Sequence, residues 1–397
     1  MLNVFIMGVV VIAAGVLMYP PLARSTLWRA TITPLASVIG SGFLVIGPIL
    51  HGAFGFMAPV IMGILCGIAY LFGAAIRYNI ATIDGDAPAR APGELKLEKI
   101  ASWALSIAYI ISVAYYLNLF GKFGLSLTGL NDQFHARLLA TAVFLVILGV
   151  GWSHGFSALE KMEQVTVGIK LAIIAGLLFG LAWYFVGKVA VGGLVLETPE
   201  LTGWTAATLV FGLLVTVQGF ETSRYLGDEY DAPTRIRSMK LAQWVSSAIY
   251  MLYIVLLTFA FARGEIELSE TAIIALMGVI APILSVLLVA AALSAQFSAA
   301  VADAGGSGGL ISELTNHRLK PRGAYALLVA AGLALTWSAD VFAIISYASR
   351  AFAAYYGLQS AIAALAARRQ GHRARAALFG LLAVLGAVIT VFGVAVE

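Results

Sequence analysis

Apolar residues run in long stretches from one end of the chain to the other, separated by short breaks that collect charge, proline or turn-forming residues. A helix rising ~1.5 Å per residue needs roughly 20 apolar residues to cross the ~30 Å hydrocarbon core of a bilayer. Setting the apolar runs against their breaks predicts twelve spanning helices, at 2–20, 32–51, 54–78, 98–126, 136–153, 162–187, 204–226, 240–263, 271–302, 323–339, 341–367 and 375–396. The expected fold class is an all-α integral membrane protein. None of the breaks is long enough to hold a soluble domain.

Two of these spans are interrupted at mid-length by glycine and polar residues. The first carries Val38-Ile39-Gly40-Ser41-Gly42-Phe43, and the second carries Thr216-Val217-Gln218-Gly219-Phe220-Glu221-Thr222-Ser223. A helix in hydrocarbon exposes no unpaired N–H or C=O, so irregular backbone at that depth is tolerated where protein, water or ligand satisfies it. Corresponding breaks in two halves of a chain point to a transporter's binding site. Dividing the chain accordingly gives an extra N-terminal helix and inner loop at 1–31, a first five-helix repeat at 32–187 and an outer loop at 188–203. A second five-helix repeat follows at 204–367, and a C-terminal helix at 368–397. An odd number of helices per repeat turns the second copy upside down, so the expected relation is a two-fold axis in the membrane plane.

Composition agrees with the pattern: 61% of the 397 residues are hydrophobic and 11% charged, with a mean hydropathy of +0.95, which excludes an ordinary soluble domain. The one cysteine, Cys66, lies in an apolar run and excludes a disulfide framework within the chain. Met1 to Tyr19 lacks the basic start and small-residue cleavage site of a signal peptide, and reads as a retained spanning helix. Most of the 24 Lys and Arg fall in alternate breaks, among them Arg24, Arg77, Lys96, Arg224, Arg235, Arg322 and Arg369. Cytoplasmic connections hold that excess, so both termini are expected outside, in what reads as a bacterial inner (plasma) membrane. The net charge of +4 reflects this inner basic rim, with no nucleic-acid partner implied. No zinc-spaced His/Cys cluster, nucleophile elbow or phosphate loop occurs, so neither an enzyme nor a cofactor is expected.

The two breaks carry the candidate chemistry. Gly40 and Gly42 flank Ser41 and let the backbone come close to a ligand; a half-helix restarting near Phe43 offers N–H groups to a carboxylate. A small-residue packing seam is the competing reading of the same glycines. In the second break, freed carbonyls of Val217, Gln218 and Gly219 would accept from a substrate ammonium, with Phe220 closing over its side chain. Glu221 either touches substrate or holds the broken helix, paired with Arg224 one turn on. Lys122, Lys170 and Arg350 sit inside apolar runs, where a charge costs about 2.5–3.5 kcal/mol and usually marks a pathway or a partner. Arg350 is placed to meet Asp340 or substrate.

These residues match a family. Gly40-Ser41-Gly42 in its setting, Gly219-Phe220-Glu221 followed by Gly227-Asp228-Glu229-Tyr230-Asp231-Ala232-Pro233-Thr234-Arg235, and the stretch from Gly155 through Glu160 and Val165 to Lys170 resemble the amino acid-polyamine-organocation superfamily. The resemblance covers roughly residues 32–367. It implies a five-plus-five inverted-repeat fold, substrate bound between the two broken helices, and alternating access. It further implies that Lys170 stands where sodium-coupled relatives bind the ion, making proton coupling the expectation. Ser294, Ser298 and Asp303, on the equivalent of the eighth helix, leave sodium open. Tyr116, beside Tyr115 in the third helix of the repeat, is a candidate pocket residue. Ala304-Gly305-Gly306-Ser307-Gly308-Gly309 departs from the arginine-containing pattern of amino acid permeases. The expectation is a secondary active transporter of an amino acid or related small amine, working as a proton-coupled symporter. The alternatives are a same-fold transporter of a nucleobase or inorganic cation, and a membrane sensor or partner subunit that moves nothing.

Overall fold

The computed structural model describes residues 1–40, 42–83, 91–153, 157–227, 229–265 and 269–395, without the side chains of 83, 153, 157–166 and 321. Among the described residues the regular structure is helical. The chain opens with α1 (Leu2–Leu17) and the single turn α2 (Pro20–Ala23), then α3 (Thr26–Val38), α4 (Gly42–Phe54), α5 (Ala58–Ile83), α6 (Pro92–Leu125), α7 (Gln133–Ser153) and α8 (Ser157–Ala190). It continues with α9 (Gly203–Gly212), two 3-10 turns at Leu214–Val217 and Phe220–Tyr225, α10 (Ala232–Ala260), α11 (Ala272–Ile280), α12 (Pro282–Leu314), α13 (Pro321–Ser338), α14 (Val341–Arg369) and α15 (Arg373–Phe392).

Both expected breaks are present in the backbone. Helix α3 stops at Val38 and α4 starts at Gly42, so each piece is only 13 residues long. Helix α9 stops after 10 residues, and the chain continues through the two short turns on either side of Gly219. Among the described residues, seven helical segments are long and apolar enough to cross a membrane unaided. One of these runs on from α4 into α5 (Gly42–Thr82), while the half-helices α3 and α9 are too short to cross alone.

One expected span is corrected. The run that reads as a single helix over 271–302 is two elements, because Ala281 is extended (φ −162°, ψ 128°) between α11 and α12. Pro282 causes this: its ring disfavours helical backbone in the preceding residue, while at the first helical position its missing N–H costs nothing. Helix α12 then runs past residue 302 to Leu314 and takes the glycine-rich stretch 305–309 into its interior. Packing offsets the weak helix propensity there. A Cβ on Gly308 would overlap the Tyr325 ring, and one on Gly306 would lie 3.1 Å from that of Tyr109.

Helix α6 is the central post. Its buried residues include Tyr109, Ser112, Tyr115, Tyr116 and Asn118, and it packs against α12 on one side and α14 on another. Helix α1 lies outside, with Val10 against Gly176 of α8 and Phe5 stacked on Trp183. Asp231 caps α10 by accepting from the Thr234 N–H (3.0 Å), and the bonds from Thr234 hold its carboxyl below the usual range. Asp340 caps α14 by accepting from Ala343 N–H (2.9 Å), so it does not hold Arg350, whose Nε donates to the Thr390 carbonyl (2.7 Å).

The α14–α15 contact is a small-residue seam in which the helix backbones meet at Gly357 and Gly386. In lipid such close approach supplies the packing that hydrophobic burial supplies in water. A Cβ on Gly386 would stand 2.5 Å from the Gly357 Cα. Gly386→Leu is expected to prise α15 away and cost about 1–3 kcal/mol, read as a lower melting temperature in detergent.

Candidate functional site

The two breaks lie against each other. A Cβ on Gly42 would be 2.5 Å from the Thr216 Cα, and one on Gly219 would be 2.6 Å from the Ser37 carbonyl carbon. Gly42 and Gly219 thus each meet the backbone of the opposite break, an approach that no larger residue permits. Gly219 also has φ +117°, a region glycine occupies without strain. Gly40 sits over the last turn of α3, where an added Cβ would be 3.0 Å from the Ser37 carbonyl oxygen. Ser41, the polar residue expected between the two glycines, lies outside the described residues.

A helix end leaves its last carbonyls without partners, and three of those at the end of α3 are taken up. Leu35 accepts from the Ile39 N–H (3.0 Å). Ala36 accepts from the Lys170 ammonium (2.8 Å), delivered by α8 and only 2% exposed. Val38 accepts from the Tyr250 hydroxyl (3.0 Å), which also points at the Thr216 carbonyl (2.6 Å) across the second break. Lys170 therefore sits at the negative end of a half-helix, where a cation is favoured. It borders a small cavity whose walls include Ile39, Gly40, Phe43, Leu44 and, from α12, Leu288, Ala291 and Ala295. Ser294 and Ser298 are half-buried on α12, outside that lining.

The second break is held by α14. Ser349 accepts from the Val215 N–H (2.9 Å) and donates to the Gly212 carbonyl (2.7 Å), bridging the point where α9 stops. The fully buried Glu221 carboxylate accepts from the Gly219 N–H (2.9 Å) and the Tyr356 hydroxyl (2.7 Å), so it braces its own turn. Arg224 is not its partner: that guanidinium pairs with Glu98 of α6 (2.7 Å). The Gly219 carbonyl accepts from the Thr222 N–H and hydroxyl. Phe220 is buried and stacked on Tyr356, with centroids 5.1 Å apart. Gln218 donates from Nε2 to the Tyr116 hydroxyl (2.8 Å), bringing that expected pocket residue to the break, and its Oε1 has no partner among the described residues. Glu221 Oε1 and Ser37 Oγ are buried and unpartnered in the same sense. Val217 lines a second small cavity with Val38, Gln243, Ser246 and Tyr250.

Toward the basic rim the structure is closed by polar pairs. Arg224 also donates to Gln359, whose side-chain oxygen accepts from Asn79 Nδ2 (2.8 Å), and Arg369 pairs with Glu94 (3.0 Å). The structure thus brings Tyr116, Gln218, Glu221 and Lys170 to the two breaks, with Lys170 alone of these lining either of the two small cavities. Tyr250, Ser349 and Tyr356 are partners that sequence reasoning missed. A signal for Tyr250 exists in its place as a polar group on the buried face of α10, in step with Ser246 and Tyr253.

Tyr250→Phe should leave both carbonyls without that donor, at about 1–3 kcal/mol, read as a lower melting temperature with the fold retained by circular dichroism. Gly42→Val should abolish ligand-induced stabilisation while membrane insertion stays intact.

The family described as APC superfamily transporter matches residues 20–393. A protein of Aquifex aeolicus (strain VF5) described as uncharacterized is 41% identical over 388 residues, covering 95% of this chain and 93% of its own length. The fold resembles the crystal structure of a histidine-to-alanine mutant of the Eremococcus coleocola manganese transporter, with a TM-score of 0.60 over 93% of this chain and 86% of that one at 13% identity. With its broken helices in contact and the family match running almost from end to end, this chain belongs to the APC superfamily of transporters.

Proposed function

We propose that the protein is a secondary active transporter of an amino acid or a related small amine, working by alternating access as a proton-coupled symporter. In this reading the helices form twelve spans, ten of them in two five-helix repeats of opposite orientation, with the basic rim in the cytoplasm of a bacterial cell and both termini outside. The substrate carboxylate meets the N–H groups at the start of α4, Gly40 to Gly42, and its ammonium meets Val217 to Gly219.

The observation that carries the reading is the Lys170 ammonium on the Ala36 carbonyl, beside the meeting point of the two breaks. A fixed cation at that helix end meets the local need for positive charge, which leaves a proton on and off lysine as the exchangeable ion. The unpartnered buried oxygens of Gln218, Glu221 and Ser37 add acceptors of the kind an amine satisfies. A divalent metal cargo, such as the one for which the manganese transporter is named, calls for grouped carboxylate, imidazole or thiolate ligands. Among the described residues no three such side chains come together.

A thermal-shift screen of amino acids, amines, nucleobases and manganese tests the substrate class, since a ligand at 100 times its Kd adds about 2.7 kcal/mol. Stabilisation by nucleobases or manganese alone would refute the amine reading. In proteoliposomes, Lys170→Ala is expected to remove the pH dependence of uptake or to create a sodium requirement. Unchanged uptake in both respects removes Lys170 from coupling, and binding without accumulation under any ion gradient makes the protein a sensor.

A further inference from the structure

His51 closes the last turn of α4, 11 residues beyond Gly40 in the chain and near the rim opposite the basic one. Its ring is 0% exposed, and neither Nδ1 nor Nε2 has a hydrogen-bond partner among the described residues. A buried polar group left unpaired costs about 1–3 kcal/mol, and an imidazole leaves two. One turn back along the same face, the Tyr253 hydroxyl lies against Gly47, also without a partner among the described residues.

A strap covers this turn. The segment 195–201 is tied by its backbone to the end of α4: Phe56 N–H donates to the Glu197 carbonyl (2.8 Å), while the N–H groups of Glu200 and Leu201 donate to that of Ala53 (3.1 and 3.0 Å). Val195 N–H donates to Phe259 at the end of α10 (3.0 Å). Gly55, at φ +48°, makes room: a Cβ there would collide with the Glu197 carbonyl oxygen. Arg263 pins the strap from above, donating to the Thr198 carbonyl (2.6 Å) and pairing with Glu200 (2.9 Å). The charged groups acting on the His51 ring are Arg263 and Glu197, and α10 contributes Tyr253. The first turns of α5 and the whole of α11, both packed on α4, carry no titratable side chain.

We propose that His51 is a proton-binding site whose occupation opens the strap 195–201. Under the strap an imidazolium would present two N–H donors to no acceptor, beside a guanidinium. With the strap lifted, both reach water. Protonation and opening are therefore linked, and acid favours the open form. The neighbouring Glu197 works against this by attracting the charge, but its carboxylate already accepts from the Arg263 N–H (3.3 Å). For a ring that titrates near its ordinary pKa of about 6.5 only when open, going from pH ~7.5 to ~5.5 shifts the balance about tenfold. The site depends neither on what the transporter carries nor on how it lies in the membrane.

The test uses the full chain in lipid nanodiscs, with both faces accessible and no substrate. A cysteine at the fully buried position 50, Leu50→Cys in a Cys66→Ser background, is labelled with a maleimide. Its rate is divided by that of Leu127→Cys, 53% exposed between α6 and α7, which cancels the reagent's own pH dependence. The ratio should rise about tenfold as pH falls over that range, and stay flat in His51→Gln and in His51→Leu. The leucine variant should also melt higher, since it removes two unpaired polar atoms. A flat ratio in the parent, or a rise that survives in either folded variant, overturns the proposal.

Discussion

Hydrocarbon offers no hydrogen bonds, so every main-chain group released by unwinding a helix must find a partner inside the protein. That constraint organises the centre of this molecule. Lys170 takes the Ala36 carbonyl, Tyr250 takes those of Val38 and Thr216, Ser349 bridges Gly212 and Val215, and Glu221 takes the Gly219 N–H. The partners come from α8, α10, α14 and the second break itself, so the helices around the breaks are bound to them by polar contacts. The irregular backbone is thus held by side chains that, Glu221 apart, are far away in sequence.

Legibility follows the physics of each signal. The spanning runs and both breaks are readable because apolar length, and glycine with polar residues at mid-span, arise from few causes besides a bilayer and a cavity within it. Lys170 is readable as a costly buried charge, and its ammonium meets the Ala36 carbonyl. The ninth span reads wrongly because apolar content alone does not show a corner, which Pro282 sets. Helical spacing pairs Glu221 with Arg224, yet the segment is a 3-10 turn and Glu98, 126 positions away, claims the guanidinium.

Supports such as Ser349 and Tyr356 are beyond reach for a related reason. A serine in a spanning helix usually satisfies itself on its own backbone, so nothing local distinguishes Ser349, which serves α9 instead. Tyr356 is one of a pair with Tyr355, and only packing shows which ring carries the hydroxyl to Glu221. Long-range hydrogen bonds leave no periodic trace. They arise from which helices end up side by side.

The Tyr250 hydroxyl has one hydrogen and two carbonyls to serve. While the broken rods touch, that single hydrogen is shared. Should they part, it can follow only one of them, and the other oxygen is stranded until water or an N–H of some arriving solute replaces it. Separation of the two breaks thus carries an electrostatic penalty set by one phenol, which couples the ends of α3 and of the second break through a single proton.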